Sequence, residues 1–359
     1  MNRLKTFKAQ VPTTYRAAAT ALGTVVALVM ASTVLSIATD NFVGTAASIT
    51  IAVMGLSILT GSSGQVSIGN GGFMAIGAFA VGIIGTHNAH FPLVGSLLAG
   101  LIAGAVAGLV IGLPATRLRG PYLAGMTLAF GYVIPPFIQS FGTSTGGSGG
   151  LYLNVLVAPQ WFADLVGASG SLVEANARYQ ACLAITVAGA ALFFAANILS
   201  SRLGRSMRLV RDDEVAAELV GVNLAKTRVT AFVISAALAG LGGALFTLLT
   251  AAAQTSTYGL ALSIELLSLL VLGGMGSIPG AIIAGILAAY SDQLVSEVNN
   301  LFGVDPFSNA GANMKGIIFG VILISTMLAA PSGLAGLGRR IAGVVSSWWA
   351  QRSARSLSK

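Results

Sequence analysis

Stretches of about 18 to 25 mainly apolar residues recur along most of the chain, each long enough to cross a bilayer core of about 30 Å as a helix. Only 8% of the residues are charged and 55% are hydrophobic, whereas a soluble domain carries roughly a quarter charged residues. Most of the surface must therefore face something other than water. Backbone N–H and C=O groups cannot stay unpaired in lipid, and the period-two alternation of a β-barrel is not seen, so the runs are expected to be helices. They fall at 18–38, 43–60, 67–86, 92–113, 121–141, 179–199, 229–253, 262–275, 279–298 and 315–330.

Charge then sets the topology. With the N-terminus inside, the inner segments hold Arg3, Lys5, Lys8 and Arg16, then Arg117 and Arg119, then Arg202, Arg205, Arg208, Arg211, Lys226 and Arg228, and last Arg339, Arg340, Arg352, Arg355 and Lys359. That partition leaves only Arg178 and Lys315 outside, out of 19 basic residues. Flipping the orientation or removing an early helix destroys it. The expected fold class is an all-α polytopic membrane protein of about ten transmembrane helices, with both termini cytoplasmic. The net charge of +8 is read as a set of topology determinants and not as a nucleic-acid surface. The N-terminal run from Ala17 to Ala38 is longer than a signal-peptide core and lacks a small-x-small exit, which predicts an uncleaved first helix.

Two runs strain this scheme. At 1.5 Å per residue, 262–275 covers only about 21 Å. The run 43–60 leads into the glycine-rich stretch from Gly61 to Gly72, and non-helical backbone at membrane depth is tolerated only where protein buries it or water lines it. Residues 1–330 are read as the membrane domain, and 331–359 as a basic tail. In that tail Trp348, Trp349 and the arginines suit a helix lying among lipid headgroups. Gly100, Gly104, Gly108 and Gly112 repeat every fourth residue and predict close approach of a neighbouring helix.

Several chemistries are not supported. There is no G-x-x-x-x-G-K-[ST] phosphate loop, so ATP is not expected to bind this chain in that way. His87 and His90 share a short outer loop with no Cys or acidic residue, and Cys182 lies inside an apolar run. Neither a metal site nor a disulfide framework is expected. No nucleophile–base pair stands out, so neither an enzyme nor a cofactor is expected. The stretch from Ser144 to Gly150 has the composition of an anion cradle, but reads better as a flexible outer loop.

The polar segment of about 200–228 is far longer than a connector needs to be. Val210, Val215, Ala217, Leu219 and Val220 can form one modest apolar side, Asp212, Asp213, Glu214 and Glu218 stay polar, and Gly221 and Asn223 are good helix stops. A short capped helix here suits docking of a soluble partner. Glu265 is an acidic residue well inside an apolar run, a functional candidate by default.

Ala216-Ala217-Glu-Leu-Val-Gly221 is similar to the E-A-A-x-x-x-G loop of bacterial ATP-binding-cassette (ABC) importer permeases. Gly64-Gln-Val-Ser-Ile-Gly69 with Phe73, Gly77 and Ala78 resembles a segment of branched-chain amino acid permeases. So do Arg117-Leu-Arg-Gly-Pro-Tyr-Leu-Ala124 with Thr127-Leu-Ala-Phe130, Thr145 to Leu151, Arg211 to Ala217, and Leu272-Gly-Gly-Met-Gly-Ser277. The matches run in order from about 45 to 330 and resemble the LivM-type inner-membrane subunit. Val215 stands where the docking motif has glutamate, with Glu214 one position earlier, and Asn70 stands where histidine is usual.

The resemblance implies a permease subunit of an ABC importer for branched-chain or other small aliphatic amino acids. It implies three kinds of partner: a second permease, two cytoplasmic ATPases and an extracytoplasmic binding protein. It also implies an ATPase-docking loop at Arg211, Asp212, Asp213, Glu214, Ala216, Ala217 and Gly221. The pathway candidates are Gln65, Ser67, Asn70, Gly71 and Gly72, with Glu265, Gly273, Gly274 and Gly276; broken helices there would offer backbone groups to a zwitterion. The glycines serve equally well as packing points. Related permeases for urea, short amides or sugars share the scaffold. An ion-coupled transporter would instead call for several buried charged relays, and Glu265 is the one found.

Overall fold

The structure, a computed structural model of the chain, describes residues 37–87, 92–118, 120–154, 156–165 and 172–302, with isolated positions at 320, 324, 333, 334 and 336. The bulk of the run at 18–38, the run at 315–330, the interfacial tail and His90 lie outside the described residues. The described elements are overwhelmingly helical. Helix α1 (Ile37–Leu56) widens into a π-helical turn at Ser57–Ser62. After a non-helical stretch come α2 (Asn70–His87), α3 (Leu93–Ala115) and α4 (Pro121–Ser140). The short helices α5 (Gly142–Thr145) and α6 (Gln160–Leu165) precede the long α7 (Leu172–Ser200). Then follow α8 (Arg202–Asp212), α9 (Glu214–Leu219), α10 (Leu224–Thr250), α11 (Leu260–Gly273) and α12 (Ile278–Phe302).

Five helical stretches among the described residues are long and apolar enough to span a bilayer: Phe42–Ser62, Leu93–Ala115, Pro121–Ser140, Ala175–Ser200 and Leu224–Thr250. The chain is a polytopic α-helical membrane protein. Helix α11, at 14 residues, reaches only about 21 Å, as its short apolar run implied. The residues at 39–42, read as a connector, are helical.

Packing explains which helices sit in the middle. Helix α10 packs along α1, α2 and α3, while α1 also packs on α7 and α12. Within its apolar window α1 is 83% buried, against 28% for α3 and α4, so α1 and α10 form the centre and α3 and α4 the rim. The glycine ridge of α3 meets α10. A Cβ on Gly108 would stand 2.5 Å from the Ala236 Cβ, and one on Gly100 or Gly104 would also run into α10. In turn a Cβ on Gly240 would lie 2.5 Å from the Gly100 carbonyl oxygen, and one on Gly77 of α2 would strike the Gly240 backbone. Three helices touch backbone to backbone at this level, which compensates for the missing hydrophobic drive between helices in lipid.

The loops gather at two ends. At one end Leu151–Tyr152 (β1) pairs antiparallel with Ala252–Ala253 (β2), and Leu153 N–H donates to the Ala251 carbonyl at 2.9 Å. The glycine-rich segment before it, expected as a loop, folds into a short helix and a helical turn at Gly147–Gly149. Thr145 Oγ1 donates to the Ile138 carbonyl at 2.8 Å, and Gly146, Gly147 and Gly150 have positive φ. At the opposite end Ser63, Val66, Leu118, Gly120, Arg211 and Arg228 line one small cavity of about 130 Å³. Two of the four segments assigned by charge to the inner side, those around Leu118 and Arg211, therefore share one end of the molecule; the other two lie outside the described residues.

Candidate functional site

Two features converge at the broken stretch between α1 and α2. The π-turn ends at Ser62, and residues 64–69 run non-helically into the interior until α2 begins at Asn70. Gln65, Ser67 and Asn70 are all buried. Their backbone has lost helical partners, and the surrounding helices supply replacements. Thr127 Oγ1 of α4 accepts from Ile68 N–H at 3.0 Å, and Ser263 Oγ of α11 accepts from Gly71 N–H at 3.1 Å. Asn70 Nδ2 donates to the Ala52 carbonyl in mid-α1 at 3.2 Å. Gln65 Nε2 donates to Ser63 Oγ at 2.7 Å and to the Arg228 carbonyl at 3.2 Å. Ser67 Oγ is buried with no hydrogen-bond partner.

The glycines of this stretch are close-packed. A Cβ on Gly71 would lie 2.6 Å from Ser263 Oγ, and one on Gly72 would lie 3.1 Å from Gly131 Cα. Opposite, α11 starts beside Gly71 and ends at Gly273, where the chain turns through Gly274 (φ 105°) and Gly276 (φ 75°), angles that favour glycine. Gly276 N–H donates to Ser57 Oγ at 3.1 Å, so the α11–α12 turn is seated on the π-turn. The structure thus brings Gly71 to the start of α11, Gly72 to α4, Asn70 to mid-α1 and Gln65 to the start of α10, and seats Gly276, beyond the other end of α11, on the π-turn.

Glu265 lies apart from that stretch. It is half-buried and lines a cavity of about 340 Å³ whose other walls include Thr45, Ile49, Met74, Phe246, Tyr258 and Leu262. Tyr258 is fully enclosed, and its hydroxyl pairs with Thr247 Oγ1 at 3.1 Å.

The polar loop forms two helices where one was expected. Asp213 breaks the chain between α8 and α9 (φ −158°) and caps α9, its carboxylate accepting from Val215 N–H at 2.9 Å and Ala216 N–H at 3.1 Å. Gly221 ends the element with φ 82°, the left-handed stop its position implied. Asn223 starts the next helix, its Oδ1 accepting from Lys226 N–H at 2.9 Å. It is an N-cap and not a second stop, because the chain re-enters a helix at Leu224.

The apolar residues of the loop do not share a side. Met207, Val210 and Ala217 are buried, while Val215, Leu219 and Val220 are 68%, 83% and 69% exposed. Val215, Glu218 and Leu219 lie at i, i+3 and i+4 and so occupy one outward face. Two of the charged candidates turn inward: Glu214 pairs with Arg228 at the start of α10, and Arg211 Nη1 donates to the Gly61 carbonyl at 2.6 Å. Thr127, Ser263 and Arg228 were missed as site residues. A Ser or Thr in an apolar helix usually bonds back to its own turn, so Ser263 carried no signal; Thr127 stood in a family-like segment and Arg228 among the inner charges, neither of which says what the residue would touch.

The family model described as "Branched-chain amino acid transport system / permease component" matches residues 38–327. The Escherichia coli high-affinity branched-chain amino acid transport system permease protein LivM is 29% identical over 265 residues, covering 68% of this chain and 61% of LivM. The Salmonella typhimurium permease protein LivH of the same type of system is 29% identical over 200 residues, covering 56% of this chain and 60% of LivH. The Pseudomonas aeruginosa permease protein BraD is 32% identical over 139 residues, covering 39% of this chain and 41% of BraD. The matched region spans about three-fifths of the length of LivM. No solved structure matches the chain. With the model matched over most of its length, the chain belongs to the branched-chain amino acid transport system permease component family.

Proposed function

We propose that the chain is the permease subunit of an ATP-driven importer in the inner membrane, moving branched-chain or other small aliphatic amino acids. The observation that carries this is the loop helix α9: capped and braced against the membrane helices on one side, it leaves Val215, Leu219 and Val220 uncovered on the other. An apolar ridge on a charged loop fits a soluble partner. An ion-coupled carrier or an inert scaffold has no use for one. On this reading the ridge and the exposed Asp212 and Glu218 meet a cytoplasmic ATPase, and the loop end of the molecule is cytoplasmic. A second permease, a second ATPase and an extracytoplasmic binding protein complete the system, since relatives named LivM and LivH both occur among permease proteins of such systems.

The pathway is proposed to run along Gln65 to Gly72 and α11. Helix starts at Asn70 and Leu260 flank the break, an arrangement suited to a carboxylate. The cavity beside Glu265 joins one carboxylate to aliphatic and aromatic walls, which suits an ammonium group attached to an aliphatic side chain. The test is a deletion strain assayed for leucine, isoleucine and valine uptake at low concentration, with and without the gene and its partner subunits. Loss and restoration of uptake is expected. Unchanged uptake of all three, with loss of urea or sugar uptake instead, would overturn the amino acid assignment.

A further inference from the structure

We propose that Arg211 is the positioning residue that carries movement of the docking loop into the broken helix; this rests on the docking role proposed above. Arg211 is the penultimate residue of α8, just before the residues of the loop that face outward. Its Nη1 reaches across to the Gly61 carbonyl at 2.6 Å, a contact 150 residues away in sequence. Its stem lies on Gly64, where an added Cβ would stand 2.8 Å from the Arg211 Cγ. The Gly61 carbonyl is one of the acceptors stranded where the π-turn ends, and a cation at a helix C-terminus is the favoured group to satisfy it.

The contact continues past Gly61. Gly61 touches the Gly276 backbone, and Gly276 N–H is held by Ser57 Oγ at 3.1 Å. Gly276 joins α11 to α12, and the far end of α11 holds Gly71 through Ser263. One guanidinium therefore connects the loop directly to the π-turn at Gly61 and, through Gly61, to the turn that follows α11. The same guanidinium is fixed on its other side by Asp212, with Nε and Nη2 both on Oδ1 at 2.9 and 2.8 Å. A second brace, Glu214 to Arg228, ties α9 to α10 and reaches the break at a different point, where the Arg228 carbonyl accepts from Gln65 Nε2 at 3.2 Å. Arg211 is not part of the outward ridge of Val215 and Leu219, so coupling and docking are separable by substitution.

The experiment uses the full complex reconstituted in proteoliposomes with its partner subunits, reading leucine imported per ATP hydrolysed and co-purification of the ATPase. Arg211→Gln removes a charged hydrogen bond and should lower the ratio about tenfold or more while the ATPase still co-purifies. Arg211→Lys keeps the charge but not the fork and should fall between Gln and wild type. A wild-type ratio in Arg211→Gln overturns the proposal. So does loss of the ATPase from that variant, which would make Arg211 a docking contact. Should Arg211→Gln fail to accumulate, a wild-type ratio in Arg211→Lys overturns it. Leu219→Asp tests the underlying reading separately: it should release the ATPase, and if the ATPase stays bound the docking assignment falls, whatever the Arg211 ratio.

Discussion

Replacing Gly240 with alanine probes the contact on which the helical packing turns. The new Cβ would stand 2.5 Å from the Gly100 carbonyl oxygen and 2.9 Å from Gly104 Cα, where carbon contacts relax at about 3.5–4.0 Å. Both obstacles are backbone, so no side chain can swing aside. Helices α10 and α3 must separate by roughly 0.5–1 Å, and a gap of that size forfeits a quarter to a half of each contact's attraction. Overpacking of this kind costs about 1–3 kcal/mol, offset by the roughly 0.5–1 kcal/mol that alanine gains over glycine inside a helix. The net is a destabilisation of about 0.5–2 kcal/mol. Gly125→Ala is the control, because a Cβ there meets nothing within 4 Å. Thermal unfolding of the purified protein should rank Gly240→Ala below wild type and Gly125→Ala level with it or above. A Gly240→Ala protein that melts with or above wild type would refute backbone contact between α3 and α10.

Three further outcomes are expected. Gly221→Val forces a β-branched residue to φ 82°, costing about 1 kcal/mol or more, and should reduce ATPase co-purification without preventing membrane insertion. Thr127→Val leaves Ile68 N–H buried without its acceptor, a loss of about 1–3 kcal/mol, and should lower both the melting temperature and uptake. In a Cys182→Ala background, an impermeant thiol reagent applied to intact cells should label Gly149→Cys and not Ser201→Cys, both exposed positions; labelling of the second would reverse the proposed orientation.

The membrane class was legible because composition and run length carry it directly, and every helix expected between residues 43 and 298 is present. The α3 ridge was legible too, since four glycines at four-residue spacing have no other economical use. Its partner was not: α10 carries Gly240, Gly242 and Gly243 without a repeat, and only the fold shows them facing α3, α1 and α2. Gly221 could be read as a stop because left-handed backbone selects for glycine. Asn223 could not be assigned, because asparagine serves at either end of a helix and the outcome depends on where the next one starts. Direction defeated the reading of Arg211 and Glu214. Residue type places a charge on a loop but does not say whether it faces outward or back onto the helices.

The hydrogen bonds of the broken stretch bear on how it can move. Ile68, Gly71, Asn70 and Gln65 are held by α4, α11, α1 and the start of α10, respectively. A polar group left unpaired away from water costs several kcal/mol, so the buried bonds of Asn70 and Gly71 do not simply open. The stretch has two options. It can stay fixed, or it can pass to a second arrangement in which the same groups find other partners together. Packed interfaces of this sort are bistable and not continuously deformable, so on the proposed coupling a small displacement at Gly61 or Arg228 would reach the stretch as a switch. Ser67 Oγ is a buried side-chain group of the stretch that the present arrangement leaves without a partner, and so one that a second arrangement or a passing solute could satisfy.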